Sequence, residues 1–118
     1  MVNIYDLAHQ LARALKESDE YLTYQKAKET AMENPTQKAL LEEYKHLQFQ
    51  LQVAMAGGQS LPEEDMERFT RITSLLQLST EAQAYLLSEL RFQQLLSDIF
   101  RILGEAADID LDALAGRS

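Results

Sequence analysis

Leu47-Gln48-Phe49-Gln50-Leu51-Gln52-Val53 alternates apolar and polar residues without a break, and taken alone that is the pattern of a half-buried strand. The residues on either side decide otherwise. Leu40, Tyr44, Leu47, Leu51 and Ala54 carry an apolar stripe at helical spacing straight through the stretch, and glutamine and leucine are good helix formers. It therefore belongs to a long helix that runs to about Ala56, where Gly57-Gly58 stops it. On that helix Phe49, Val53 and Ala56 make a second, narrower apolar strip facing away from the first. A helix with two apolar sides needs two neighbours. The second neighbour is either another helix of the same chain or a different chain.

Toward the N-terminus, Asn34-Pro35-Thr36-Gln37 closes one helix and opens this one: asparagine caps, proline fits the first turn, and glutamine can reach back to the cap. The helix before it follows Ser18-Asp19-Glu20, a cap with acid in the first turn, and takes its apolar side from Tyr21, Tyr24, Ala27, Ala31 and Met32. The first helix begins after Asn3, with Asp6 three residues on. Ile4, Leu7, Ala8, Leu11, Ala14 and Leu15 give it the cleanest amphipathic pattern of the chain.

Toward the C-terminus, Ser60-Leu61-Pro62-Glu63 has the form of a capping box, and Glu63, Glu64 and Asp65 load the next first turn with acid. Met66, Phe69, Ile72, Thr73 and Leu76 form the expected buried side of that fourth helix. Ser79-Thr80-Glu81 caps a fifth, whose stripe of Tyr85, Phe92, Leu96, Ile99 and Leu103 is widened by Leu86, Leu95, Phe100 and Ile102. So wide an apolar arc suits a helix at the centre of a bundle or in a subunit interface. The fold class is all-α, an antiparallel bundle of about five helices with the third and fifth longest. Residues 1–107 are expected to form a single helical domain and 108–118 a short, acidic, frayed tail.

Composition narrows the function. The 118-residue chain has 46% hydrophobic and 25% charged residues, ordinary for a folded domain. It has no cysteine, hence no disulfide, thiolate metal site or cysteine nucleophile. The net charge is −8, and no three of the 11 basic residues fall together, which disfavours direct nucleic-acid binding because phosphate affinity rests on clustered Lys and Arg. No apolar run approaches the ~18 residues of a membrane span, and Met1-Val2-Asn3-Ile4-Tyr5-Asp6 has neither the basic region nor the apolar block of a signal peptide. A cytoplasmic location is expected.

Catalytic and metal chemistry find little support. Glu43-Tyr44-Lys45-His46 is a Glu-x-x-His, and Asp6-Leu7-Ala8-His9 is its aspartate analogue; inward-facing pairs of the former build di-iron sites. Asp6 and His9, however, lie opposite the first helix's apolar stripe and are expected to face water. Neither histidine has a glycine-rich turn to expose a nucleophile, and Gly57-Gly58 is not followed by the Lys-Ser or Lys-Thr of a phosphate loop. No catalytic residue, cofactor or metal ligand is therefore assigned. Glu89 sits inside the apolar arc of the fifth helix, one turn before Phe92 and two before Leu96. It is either an edge carboxylate reaching water or a buried ion-pair member that fixes partner or register.

Several features together resemble the YlbF/YmcA family of small helical bacterial proteins, most closely its YheA-like branch. They are Ile4-Tyr5-Asp6-Leu7-Ala8, Leu15 followed by Ser18-x-x-Tyr21, the Asn34-Pro35 break, Gln48-x-x-x-Gln52 leading to Gly57-Gly58, and Tyr85-Leu86-x-x-Glu89-x-x-Phe92. The resemblance spans Ile4 to about Leu103. It implies an all-α fold, self-association and no enzymatic activity. It also implies an accessory regulatory role in Gram-positive bacteria, exerted through partner proteins on competence, sporulation and biofilm formation by way of the RNA-degradation machinery. The better-known members hold iron–sulfur clusters on cysteines, which this chain lacks.

The resulting expectation is a non-enzymatic adaptor or regulator that forms a homodimer and binds a heterologous protein. Its candidate interface residues are Phe49, Val53, Ala56, Glu89, Phe92 and Leu96. A purely structural self-assembling protein and a metal-binding bundle are the alternatives.

Overall fold

The computed structural model describes residues 2–111. Among them are five helices and no strand: α1 (Ile4–Glu17), α2 (Asp19–Met32), α3 (Pro35–Ala56), α4 (Glu63–Gln77) and α5 (Thr80–Ala107). The third and fifth are the longest, at 22 and 28 residues. The alternating stretch 47–53 is helical throughout. The fold class is all-α, as the periodicity requires.

Short polar side chains set most of the helix ends. Asn3 Oδ1 accepts from the amides of Tyr5 and Asp6, and Asn34 Oδ1 from those of Thr36 and Gln37. Each removes donors that a helix start leaves without an internal acceptor. Ser18 does two jobs: its hydroxyl donates to Leu15 O at 2.6 Å, closing α1, and accepts from Tyr21 N, opening α2. Ser79 Oγ accepts from Ala82 N at the start of α5. The end of α3 is a Schellman motif, with Gln59 N donating to Ala54 O and Gly58 N to Met55 O. Gly58 supplies the left-handed backbone the motif requires, at φ 73°.

Two capping expectations are corrected. Ser60 does not cap α4: the N-cap is Pro62, which has no side-chain cap bond, and the helix starts at Glu63. The proline ring holds the chain before it away from helical backbone, so the start falls after Pro62 and beyond the reach of Ser60. Gln37 does not turn back to its cap either. Its Nε2 donates to Ala31 O at 2.8 Å and its Oε1 accepts from the Ser79 hydroxyl, so one amide ties together the end of α2, the start of α3 and the start of α5.

The chain divides into two compact units. One runs from Ala27 to Leu86 and holds the end of α2, all of α3 and α4, and the first turns of α5. The other joins the two ends of the chain, up to Lys26 and from Leu87 onward. Every fully buried apolar side chain among the described residues belongs to the 27–86 unit: Ala31, Leu41, Leu47, Ile72, Leu76, Ala82 and Tyr85. Leu41 (0% exposed) is more buried than any member of the stripe read from the sequence. It lies next to Leu40, so the inner face of α3 is broader than a single stripe. Thr73 is tolerated on the inner side of α4 because its hydroxyl donates to Phe69 O at 2.7 Å.

The unit formed by the chain ends has no such core. Its packing centres on rings: Phe92 of α5 lies 5.3 Å from Tyr21 and stacks on Tyr24 at 5.7 Å. Ser88 is buried there, and Leu96 and Glu89 are half-buried. Helix α1 contains no buried residue at all. The sequence expectation of an inward apolar stripe on α1 is thus not met within the chain. Leu103, also expected inside, is exposed. Helix α5 ends in a Schellman-type turn, with Asp108 at φ 56° and Ile109 N donating to Gly104 O. Of the tail expected to fray, residues 112–118 lie outside the described residues.

Candidate interaction surface

In the 27–86 unit, α3 is held firmly along one side. Its Tyr44 ring stacks on Phe69 of α4 at 5.3 Å with an interplanar angle of 17°. Lys45 Nζ lies 4.8 Å from the centre of the Tyr85 ring, a cation–π contact. Glu43 pairs with Arg68, which also lies 3.8 Å from Asp65. Leu41 and Leu47 fill the space beneath. These contacts come from helices that pack against each other across the 57–62 turn.

The other side of α3 is bare. Phe49 is 64% exposed and Val53 57%, and Ala56 one turn further is exposed as well. Residues i, i+4 and i+7 share a helix face, so the three form one strip. Met55, beside it at the helix end, is also exposed and was not singled out by spacing alone. Between His46 and Glu63 the chain carries no Asp, Glu, Lys or Arg, in a protein whose net charge is −8. Apolar residues in a charge-poor surround are the composition found at the centres of protein interfaces. Of the two neighbours open to this strip, the described chain provides none.

Glu89, Phe92 and Leu96 belong to the other unit. Phe92 is engaged by Tyr21 and Tyr24, which accounts for its apolar character within the chain. Leu96 and Glu89 are half-buried on the same helix.

The pairs tested for metal binding are disposed for other purposes. Asp6 and His9 are both exposed on α1, Glu43 is paired with Arg68, and His46 is exposed. Among the described residues no three His, Cys, Asp or Glu side chains come together in a metal-sized group, and no helix is long and apolar enough to cross a membrane.

Known proteins place this surface in context. A sequence profile described as "Control of competence regulator ComK, YlbF/YmcA" matches residues 4–107. A UPF0342 protein of Symbiobacterium thermophilum is 39% identical over 92% of this chain and 96% of its own length. One of Halothermothrix orenii is 37% identical over 92% of each. Among solved structures, a protein of unknown function (DUF964) from Bacillus stearothermophilus superposes with a TM-score of 0.73 at 16% identity, covering 89% of this chain and 92% of the other. Bacillus subtilis RicA, solved in complex with RicF, matches with a TM-score of 0.61 at 18% identity over 89% and 93%. At those identities the structural likeness establishes the fold.

Proposed function

From the premise that this chain belongs to the YlbF/YmcA family, we propose that it is a non-enzymatic cytoplasmic adaptor. It acts as a homodimer that docks a heterologous protein on the outer face of α3, and the partner belongs to machinery acting on RNA or on developmental regulators. The observation that carries this reading is the Phe49–Val53–Ala56 strip, apolar and exposed on a helix whose opposite side is locked into a buried core. A surface held in place before binding loses little freedom on docking. A partner helix laying its own apolar face into such a strip is a recurrent mode of recognition. The family description, control of a competence regulator, supports a regulatory role. RicA, similar in fold, was crystallised with a protein partner, which supports action through a complex.

The test compares tagged wild type with Phe49→Asp in pull-downs from native bacterial lysate, with and without nuclease, read by mass spectrometry. The adaptor reading expects a specific protein recovered by wild type in both conditions and lost from Phe49→Asp, with helical circular dichroism unchanged. Equal recovery by both proteins refutes docking on α3. Recovery of nothing beyond the chain itself favours the structural self-assembly alternative.

A further inference from the structure

The unit built from the chain ends has a different deficit. Large apolar side chains are exposed at 17 positions among the described residues, and 11 of them fall in this unit, against 6 in the 27–86 unit. Yet no fully buried apolar side chain belongs to it. The deficit is sharpest on α1, the helix with the cleanest apolar stripe and no buried residue. Ile4 is 76% exposed, Tyr5 79% and Leu7 49%, with Leu11 exposed one turn on.

We infer that the apolar face of α1 is the contact surface for a second copy of this chain, so that the N-terminal helices of two copies cover each other. The inference deepens the homodimer of the proposed function and rests on it: it assigns self-association to α1 and leaves the strip on α3 for the heterologous partner.

Two features favour a second copy as the occupant. The first is charge. In a chain of net charge −8, two copies repel over most of their surface, and like charges brought together across an interface are costly. Helix α1 is neutral: Asp6 and Glu17 are matched by Arg13 and Lys16. The stripe residues Ile4, Leu7, Ala8, Leu11, Ala14 and Leu15 carry no charge, and neither do Tyr5, Gln10 and Ala12 along its margins. The ends differ in sign, with Asp6 in the first turn and Lys16 in the last. Antiparallel pairing about a two-fold axis therefore sets the acidic end of one helix beside the basic end of the other, a self-complementary arrangement of the kind an isologous contact requires.

The second is area. A large apolar side chain presents about 150–200 Å² when bare. At the exposures found, the residues of α1 and its lead-in (Val2, Ile4, Tyr5, Leu7, Leu11) offer roughly 500 Å². Ile102, Leu103 and Ile109, exposed in the same unit, bring the total toward the ~800 Å² that each partner gives to a standard stable interface.

The decisive experiment measures solution mass by light scattering on wild type, a Leu7→Asp/Leu11→Asp double variant and Phe49→Asp, each with its helical circular dichroism. The expected result is a wild type and a Phe49→Asp protein at twice the 13.5 kDa chain mass, and a double variant at the mass of one chain. Because α1 buries nothing in its own chain, the double variant is expected to keep the thermal transition of the 27–86 core. A monomeric wild type overturns both the homodimer and this inference. A double variant that stays dimeric overturns the inference alone, and leaves the homodimer to another surface. A check that needs no variant is amide hydrogen exchange on wild type above and below its dissociation concentration. Peptides covering Ile4–Glu17 should lose protection on dilution while those of α3 keep theirs, and protection of α1 that ignores dilution contradicts the assignment.

Discussion

Leu41 and Phe49 lie two turns apart on α3, and truncating each to alanine should give opposite results in stability and in binding. Leu41 is 0% exposed within the core that also holds Ala31, Ile72, Leu76 and Tyr85. Leucine-to-alanine changes at such sites remove transfer free energy and leave a cavity, at a cost of about 2–5 kcal/mol. For a domain of this size, 3 kcal/mol corresponds to a fall in Tm on the order of 10–15 °C. Phe49 covers only the minor part of its surface, being 64% exposed. At ~25 cal/mol per Å², and roughly 60 Å² covered, its truncation costs at most about 1.5 kcal/mol. Urea unfolding followed by circular dichroism at one fixed protein concentration measures both, since the linear slope m should be unchanged in each case. Leu41→Ala should shift the midpoint strongly and leave partner recovery by the folded fraction intact. Phe49→Ala should do the reverse. If the two variants lose equal stability, Phe49 is a core residue in the protein as it exists in solution, and the argument that its face is free for a partner collapses.

Gln37 bridges Ala31 O and the Ser79 hydroxyl, so Gln37→Leu should strand two partly buried partners and cost about 1–3 kcal/mol, read from the same urea midpoints; a neutral effect would mean water replaces the amide. Gly58→Ala places a side chain at φ 73°, where left-handed backbone costs about 1 kcal/mol, and a Tm unchanged within error would show that the Schellman turn does not limit stability. Gly104→Ala sets a Cβ 2.6 Å from Ile109 O, so the 108–109 turn must move. Hydrogen exchange should report loss of protection at the end of α5, and unaltered exchange there would contradict the geometry. Arg68→Ala breaks a pair whose side chains are half-exposed and should cost less than about 1 kcal/mol, with the deficit shrinking in high salt.

How much of this was legible in the sequence depends on how local the cause is. The caps at Asn3, Ser18, Asn34 and Ser79 and the stop at Gly57-Gly58 are settled by atoms within a few residues, and their residue types announce them. The start of α4 was misread because a capping-box pattern and an N-terminal proline competed within Ser60-Leu61-Pro62-Glu63, and the backbone restriction of proline prevailed. Gln37 was assigned to its own cap because pattern rules look back along the chain. Its real partner Ser79 is 42 residues away, and nothing local points to it. Leu41 was left out of the core for a related reason: a stripe counted at three- and four-residue steps from Leu40 passes over its neighbour, and only the packing of α4 against α3 shows that the inner face spans both.

The two bare faces carry a more general lesson about amphipathicity. An apolar stripe states that a face is covered in the working protein and is silent about what covers it. For α3 the strip Phe49–Val53–Ala56 stood out because the same helix already had a first stripe, and a surplus face invites the question of a partner. For α1 there was one stripe and one natural assumption, that it turns inward. The described chain leaves that stripe uncovered, while its rarer counterpart in α2 (Tyr21, Tyr24, Ala31), with little segregation of polar from apolar residues, is well engaged. Clean segregation on α1 is what a contact between separate chains demands, because the free helix must present its whole polar side to water until a partner arrives. On α2 both sides are answered by neighbours in the same chain, so strict segregation is unnecessary. By this argument the helix that looks most like an ordinary core element from its sequence is the one most dependent on assembly. Diluting the protein should release α1 well before it loosens the helices of the 27–86 unit.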